Sequence, residues 1–292
     1  MKLFNQLLFS FSLFLSFQIA LGNVVFPTRG FSPILDHKQA AEKLDKFKDF
    51  FFQETPKEFS HLGYLYRFKF THYPKEGDST THHGLLSGPA PESTTQRVDF
   101  FSLREETSPH LSFLLSRGLK KPQVWRWSLE MQSPKILLAE DWLTPWLEGI
   151  NHTPFDLLMP FLSWPNEYEK SGRVCGRPAH LFIFNPPSGN PFSQTKLISI
   201  RLAIDHVYPA PLRVQHMDGG ILPARTFSLQ SFKKVDEQWV VKTIDVKDRD
   251  SGSTTRFELE AVAHGIDLHE STFQGGQLNR PLNQSSINFQ NL

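Results

Sequence analysis

One cysteine, Cys175, in 292 residues excludes an internal disulfide framework and any zinc site built on several thiolates. Net charge is almost absent as well. With 31 Lys+Arg against 30 Asp+Glu there is no basic excess to replace counterions along a nucleic-acid backbone. The chain has no G-x-S-x-G elbow, no P-loop, no G-x-G-x-x-G and no H-E-x-x-H, and it shows no internal repeat. Beyond its first residues no apolar run approaches the ~20 residues of a membrane-spanning helix. What it has in excess is phenylalanine, 27 residues in all. A content of 39% hydrophobic and 21% charged residues is enough for a packed core and too apolar for general disorder.

Residues 1–22 read MKLFNQLLFSFSLFLSFQIALG. Lys2 is a short positive region, residues 7–19 are mostly apolar, and Ala20-Leu21-Gly22 is a small-x-small cleavage signal. This is the pattern of a secretory signal peptide, and the apolar run is short for a membrane anchor. Its removal takes away one positive charge and five phenylalanines (Phe4, Phe9, Phe11, Phe14 and Phe17). The expected organisation is therefore a signal peptide over 1–22, one domain over 23–273, and a loose Asn/Gln/Ser-rich tail over 274–292.

Over 35–52, Ala40, Ala41, Leu44, Phe47 and Phe51 recur at spacings of three and four, which predicts an amphipathic helix. The period then changes to two. Leu62, Tyr64, Tyr66, Phe68 and Phe70 lie on one face of a strand over 61–71. Residues 73–93, rich in Pro, Gly, Thr and His, read as a long hairpin loop. Strands are predicted over 96–103, 111–115, 124–131, 135–138, 179–185, 196–206, 212–217, 226–233, 239–246 and 254–263, with a turn at Asp218-Gly219-Gly220. Between them, 153–161 forms a short helix with Thr153 as N-cap, Pro154 in the first turn and Asp156 suiting the helix dipole. The fold class is α+β, mainly β: a strongly curved antiparallel sheet, an incomplete barrel, with helices over its concave face.

Candidates for chemistry are few. Cys175 lacks a marked His and orienting acid and reads as a semi-buried packing thiol. His72, His82 and His83 invite a metal, but their segment reads as a polar loop without the rigid convergence that ligands need. Glu140 and Asp141 are sequence neighbours that a strand would point to opposite faces, so they read as exposed loop. Asn151-His152-Thr153 and Asn283-Gln284-Ser285 match glycosylation sequons. No catalytic residue, metal site or cofactor is expected. The apolar inventory remains: Trp125, Trp127, Phe182, Phe184, Ile200 and Leu202 are the candidate lining of an apolar cavity, with ordinary core as the alternative.

From residue 150 to 262 several pieces occur in order. They are Thr153-Pro154-Phe155-Asp156-Leu157-Leu158, Phe161-Leu162-Ser163-Trp164-Pro165, Gly176-Arg177, Asn185-Pro186-Pro187, Ile204-Asp205, Asp218-Gly219, Phe232-Lys233-Lys234-Val235 with Trp239-Val240, and Ser253-Thr254-Thr255-Arg256-Phe257. In this arrangement the chain resembles the bacterial outer-membrane lipoprotein-sorting proteins, relatives of the periplasmic lipoprotein carriers LolA and LolB. The resemblance implies a half-barrel closed by helices, a periplasmic location, and a non-catalytic role in binding lipid or the acyl chains of lipoproteins. It also implies envelope protein partners, with Arg67 and Arg97 as candidates for the carriers' basic lid contacts. A monomer without nucleic-acid partners is expected. The other reading is a secreted interaction module with a filled core and no lipid ligand.

Overall fold

The computed structural model describes residues 32–52, 63–89, 94–102, 105–117, 122–192, 195–235, 238–284 and 286–292. The segment 1–22 lies outside the described residues. The alternating segments become fourteen strands of one antiparallel sheet. They are β1 (Gly63–Tyr73), β2 (Thr80–Gly88), β3 (Thr95–Ser102), β4 (Glu105–Ser116), β5 (Gln123–Ser128), β6 (Lys135–Ile136) and β7 (Asn166–Val174). The series continues through β8 (Arg177–Phe184), β9 (Ser199–Asp205), β10 (Pro211–Met217), β11 (Arg225–Val235), β12 (Gln238–Asp248), β13 (Thr254–Ile266) and β14 (Gln290–Asn291). Two meanders, β1–β6 and β7–β13, are joined where β1 pairs with β13. The outermost strands, β6 and β7, do not pair with each other, so the barrel is open.

One face of this sheet is apolar from edge to edge. Across the central strands Phe70 opposes Phe257 and Phe68 opposes Leu259, while Ile244 opposes Phe257 from the other side. Toward one edge the face continues through Phe227 and Val214 to Leu202 and Phe182. Toward the other it runs through Leu86, Val98 and Phe113. A sheet with such a face must bury it, and two segments do so. Helix α1 (His37–Phe52) turns Ala40, Leu44, Phe47 and Phe51 inward, whereas Ala41 of the predicted apolar stripe is exposed. The second cover is the lid, residues 137–165, built of α2 (Pro154–Leu158) between two 3-10 turns.

The expected loop over 73–93 contains β2, whose Gly84 and Gly88 gave the segment its turn-like composition. Both glycines are needed within the strand. A Cβ on Gly84 would stand 2.3 Å from the Phe68 ring, and one on Gly88 would stand 2.4 Å from the Tyr64 ring. The two β1 rings lie over the β2 backbone. Consequently His82 and His83 sit on a strand, and His72 Nδ1 pairs with Thr255 Oγ1 at 3.0 Å. Strand β7 also escaped prediction: as an edge strand with Glu167, Glu169 and Lys170 it shows no apolar alternation.

Cys175 is exposed, in place of the expected semi-buried thiol. With Gly176 it forms the two-residue turn between β7 and β8, at φ of 49° and 78°, the doubly positive geometry that matches strand twist.

The segment 274–292, loose by composition, packs on the outer face of the sheet. Its β14 pairs with Ala261 and Val262 of β13, beyond the point where β12 diverges. Leu278 is fully buried against Leu114 and Trp127. The anchor is Arg97. Its Nε donates to both Asp99 oxygens (3.0 and 2.9 Å), and its Nη2 donates to the carbonyls of Leu278 (3.1 Å) and Arg280 (2.7 Å). Arg67 stacks on Phe289, its guanidinium 4.0 Å from the ring centre. Both candidates for lid contacts therefore hold the tail, on the face opposite the lid.

Candidate functional site

The lid crosses the concave face in a row of aromatic contacts. Trp146 packs edge-on to Phe113 (4.6 Å between ring centres), His152 lies against Phe70 (4.5 Å), Phe155 against His216 (5.3 Å), and Phe161 against Phe184 (5.3 Å). Asn151 pins the lid to the sheet. Its Nδ2 donates to Val246 O (3.2 Å) and Ser253 Oγ (3.0 Å), so this sequon asparagine is an anchor. Helix α2 begins with a capping box: Thr153 N donates to Asp156 Oδ2 at 2.8 Å.

Beneath the lid, at the middle of the sheet, lies a cavity of about 60 Å³. Its floor is Phe68, Phe70, Leu86, Val98, Phe227, Ile244 and Phe257, and its roof is Trp146, His152, Thr153, Asp156 and Leu157. The floor comes from strands β1, β2, β3, β11, β12 and β13, so the cavity spans the junction of the two meanders.

Against its roof residues Thr153 and Asp156 stand two polar side chains that do not themselves line it, Arg225 and His216. Arg225, from the start of β11, donates through Nη2 to Asp156 Oδ2, and His216 Nε2 stands 3.8 Å from Asp156 Oδ1. His152 and His216 are buried, and burial first, then the Arg225 charge, holds both imidazoles well below their ordinary pKa. Both rings are neutral at neutral pH, and Asp156 and Arg225 cancel, so the cluster carries no net charge. Among the described residues neither ring nitrogen of His152 has a hydrogen-bond partner. There is thus no hydroxyl or thiol paired with this imidazole as a nucleophile would be.

A second polar group sits under α1, away from the cavity. Tyr168 Oη contacts His180 Nδ1 (3.3 Å), His180 Nε2 contacts His206 Nδ1 (2.9 Å), and Lys43 Nζ donates to His206 O (2.8 Å). Burial, with His206 and Lys43 adding to it, lowers His180 to about 4, and burial lowers Lys43 to about 8. These contacts join α1 to the β7 edge of the sheet.

Of the six candidate lining residues, the structure brings four together on the concave face. Phe182 opposes Leu202 and Phe184 opposes Ile200; all four are buried, Phe184 against Phe161 of the lid and Phe182 against Tyr168 of β7. None of the four lines the cavity. Trp125 and Trp127 lie on the outer face, in the small cluster with Leu114, Leu278, Met131 and Phe273, and Gly275 rests on the Trp125 ring. Alternation separated the two faces of β5 without telling which one is concave. None of the twelve residues lining the cavity was among the candidates; Phe227 and Ile244, with Trp146 and His152, illustrate what was missed. The first two had the signal of inward alternation on predicted strands. His152 was read only as the middle of a sequon.

Among the described residues no group of three or more His, Cys, Asp or Glu could hold a metal ion, and no helix is long and apolar enough to cross a membrane.

No protein-family model and no curated protein matches the chain. Solved structures do. An outer membrane lipoprotein-sorting protein domain from Vibrio parahaemolyticus matches with a TM-score of 0.64 at 14% identity, over 82% of this chain and 97% of that one. A DUF1329 family protein from Desulfovibrio piger matches with a TM-score of 0.64 at 13% identity, over 82% and 98%. A LolA superfamily protein from Nitrosomonas europaea matches with a TM-score of 0.55 at 11% identity, over 80% and 97%. The resemblance read from the sequence thus holds at the level of architecture: the chain is built on the fold shared by these LolA-superfamily and lipoprotein-sorting domains.

Proposed function

We propose that this is an exported, non-catalytic lipid-binding protein of the bacterial envelope, which takes an acyl chain between the half-barrel and its lid. The observation that carries the reading is the cavity, walled by aromatic and aliphatic side chains from six strands and roofed by a segment with only five α-helical residues. Each methylene moved from water into such a site contributes about 0.8 kcal/mol. The cavity of about 60 Å³ is small beside the ~300 Å³ of a ligand pocket, so a long chain enters only as the lid moves. Displacing residues 155–164 extends the space toward Phe182, Phe184, Ile200 and Leu202. Residues 1–22 and the likeness to lipoprotein-sorting domains support a periplasmic place and a role in moving lipid-modified protein. Unloading then needs an envelope partner that offers a competing apolar site.

The small volume favours a second reading, an interaction module with a filled core. The two part on one experiment. Protein purified from its own envelope is examined by native mass spectrometry, and binding of a neutral fluorescent dye is measured for the natural chain and for Leu157→Trp, which fills the cavity. Retained lipid, with dye binding lost in the variant, supports the carrier. A lipid-free chain and no dye binding support the module.

A further inference from the structure

We infer that the His152 end of the cavity is a subsite for the hydroxyl group of a neutral long-chain amphiphile. This rests on the reading of the lid cavity as a ligand site. His152 is 6% exposed, lines the cavity, and among the described residues has no partner for either ring nitrogen. Arg225, which reaches Thr153 and Asp156 but does not line the cavity, also has its Nε without a hydrogen-bond partner among the described residues. Buried polar groups are almost always satisfied, and one that is not and also lines a cavity calls for a partner such as a ligand, ion or water. Aromatic rings pack on this imidazole: Phe70 covers it at 4.5 Å and Phe227 stands 6.5 Å away.

The chemistry of the ligand follows from what the site offers. A neutral imidazole presents one N–H donor and one lone pair. A hydroxyl donates and accepts, so it suits either tautomer. A carboxylate does not fit: Asp156 lines the same roof with its negative charge already matched by Arg225. A metal ion would need further ligands that the cluster does not supply. Water alone has room, since one molecule needs only ~10–15 Å³ and the cavity offers about 60 Å³. Water meets the same nitrogens, and a preference for alcohol over ether tests whether a ligand hydroxyl takes its place. A hydroxyl at the head of an alkyl chain meets both parts of the site, because the chain lies on the Phe68–Phe257 floor. A free long-chain alcohol and the free hydroxyl of a diacylglycerol share this chemistry.

The experiment is dye displacement from the full chain by 1-dodecanol, 1,2-dioctanoylglycerol, dodecyl methyl ether and dodecanoate. Three chains are compared: natural, His152→Phe and His152→Gln, each checked first by thermal unfolding. The natural chain is expected to bind at least one hydroxyl ligand about tenfold more tightly than the ether or the carboxylate, the size of one well-met buried hydrogen bond. His152→Phe should erase that preference and keep ether binding. His152→Gln, with a donor and an acceptor, should restore it. Whichever hydroxyl ligand is preferred identifies the source. Should His152→Phe fail to fold, the alcohol-to-ether ratio of the natural chain and of His152→Gln decides. Equal binding of alcohol and ether overturns the subsite and leaves the lid cavity standing. If none of the four displaces dye, the lipid-binding reading falls with it.

Discussion

Replacing Arg97 by Met should unfasten the tail and destabilise the whole sheet. Arg97 and Asp99 are each 1% exposed, and the guanidinium also serves the carbonyls of Leu278 and Arg280. Methionine preserves much of the volume and removes the charge, which leaves Asp99 buried without its counter-ion. Breaking a buried pair from one side costs about 3–5 kcal/mol. For a domain of this size that corresponds to a Tm lower by roughly 10 °C. Burial already pushes the Asp99 carboxyl up, against Arg97 and Ser112. The stranded acid should therefore take up a proton, and the deficit should shrink as pH falls. The double variant Arg97→Met with Asp99→Leu removes both charges and should recover most of the lost stability. It does not restore the donors to the tail carbonyls. Chymotrypsin should then cut after Leu278, which is buried in the natural chain, in both variants and spare it in the natural chain. The assays are thermal unfolding by circular dichroism and timed digestion. A loss below ~1 kcal/mol in the single variant, the value of an exposed pair, would refute the reasoning. So would a double variant no more stable than the single.

Two further outcomes test the assignment of the faces and of the buried imidazoles. Phe184→Ala should cost about 3–5 kcal/mol, as for a fully enclosed aromatic, with chymotryptic protection at Leu278 unchanged. Trp125→Ala should cost less and expose that site, and the reverse order in urea unfolding and digestion would show the faces misassigned. The folded chain holds His180 down to about 4, and His152 and His216 below their ordinary value, so the unfolded chain binds protons first. Stability is then full above a pH of about 6.5 and declines as pH falls toward about 4, where His180 charges in the folded state. A urea midpoint that stays flat from about pH 7.5 to about pH 5 would mean that these rings charge freely within the fold.

How far the sequence speaks depends on whether a residue's partner is near it in the chain. Tyr64, Tyr66, Phe68 and Phe70 announce a strand by themselves, because period two is a property of one segment. Thr153, Pro154 and Asp156 announce a helix start, because a capping box closes within four residues. Gly84 and Gly88 announce a loop and lie within a strand, because their reason is the rings of Phe68 and Tyr64 on the neighbouring strand. Trp125 and Trp127 look like lining until Leu278, about 150 positions away, covers them from outside. Arg97 looks like a free lid contact until the carbonyls of the tail reach it.

The cavity is the extreme case, since every part of its definition is long-range. Six strands from both meanders make its floor, and a single loop makes its roof. No local pattern marks His152, which became notable only when burial was found with nothing to meet its nitrogens. The same physics accounts for the match of architecture at 11–14% identity. Alternation fixes the sheet, and many apolar sequences satisfy it. The polar atoms inside the cavity are set one by one, and they are the part of this chain that its fold does not determine. Function is therefore better sought at His152 than along the aromatic floor. A His152 variant that leaves the strands undisturbed should alter the alcohol-to-ether preference before it alters whether the protein folds.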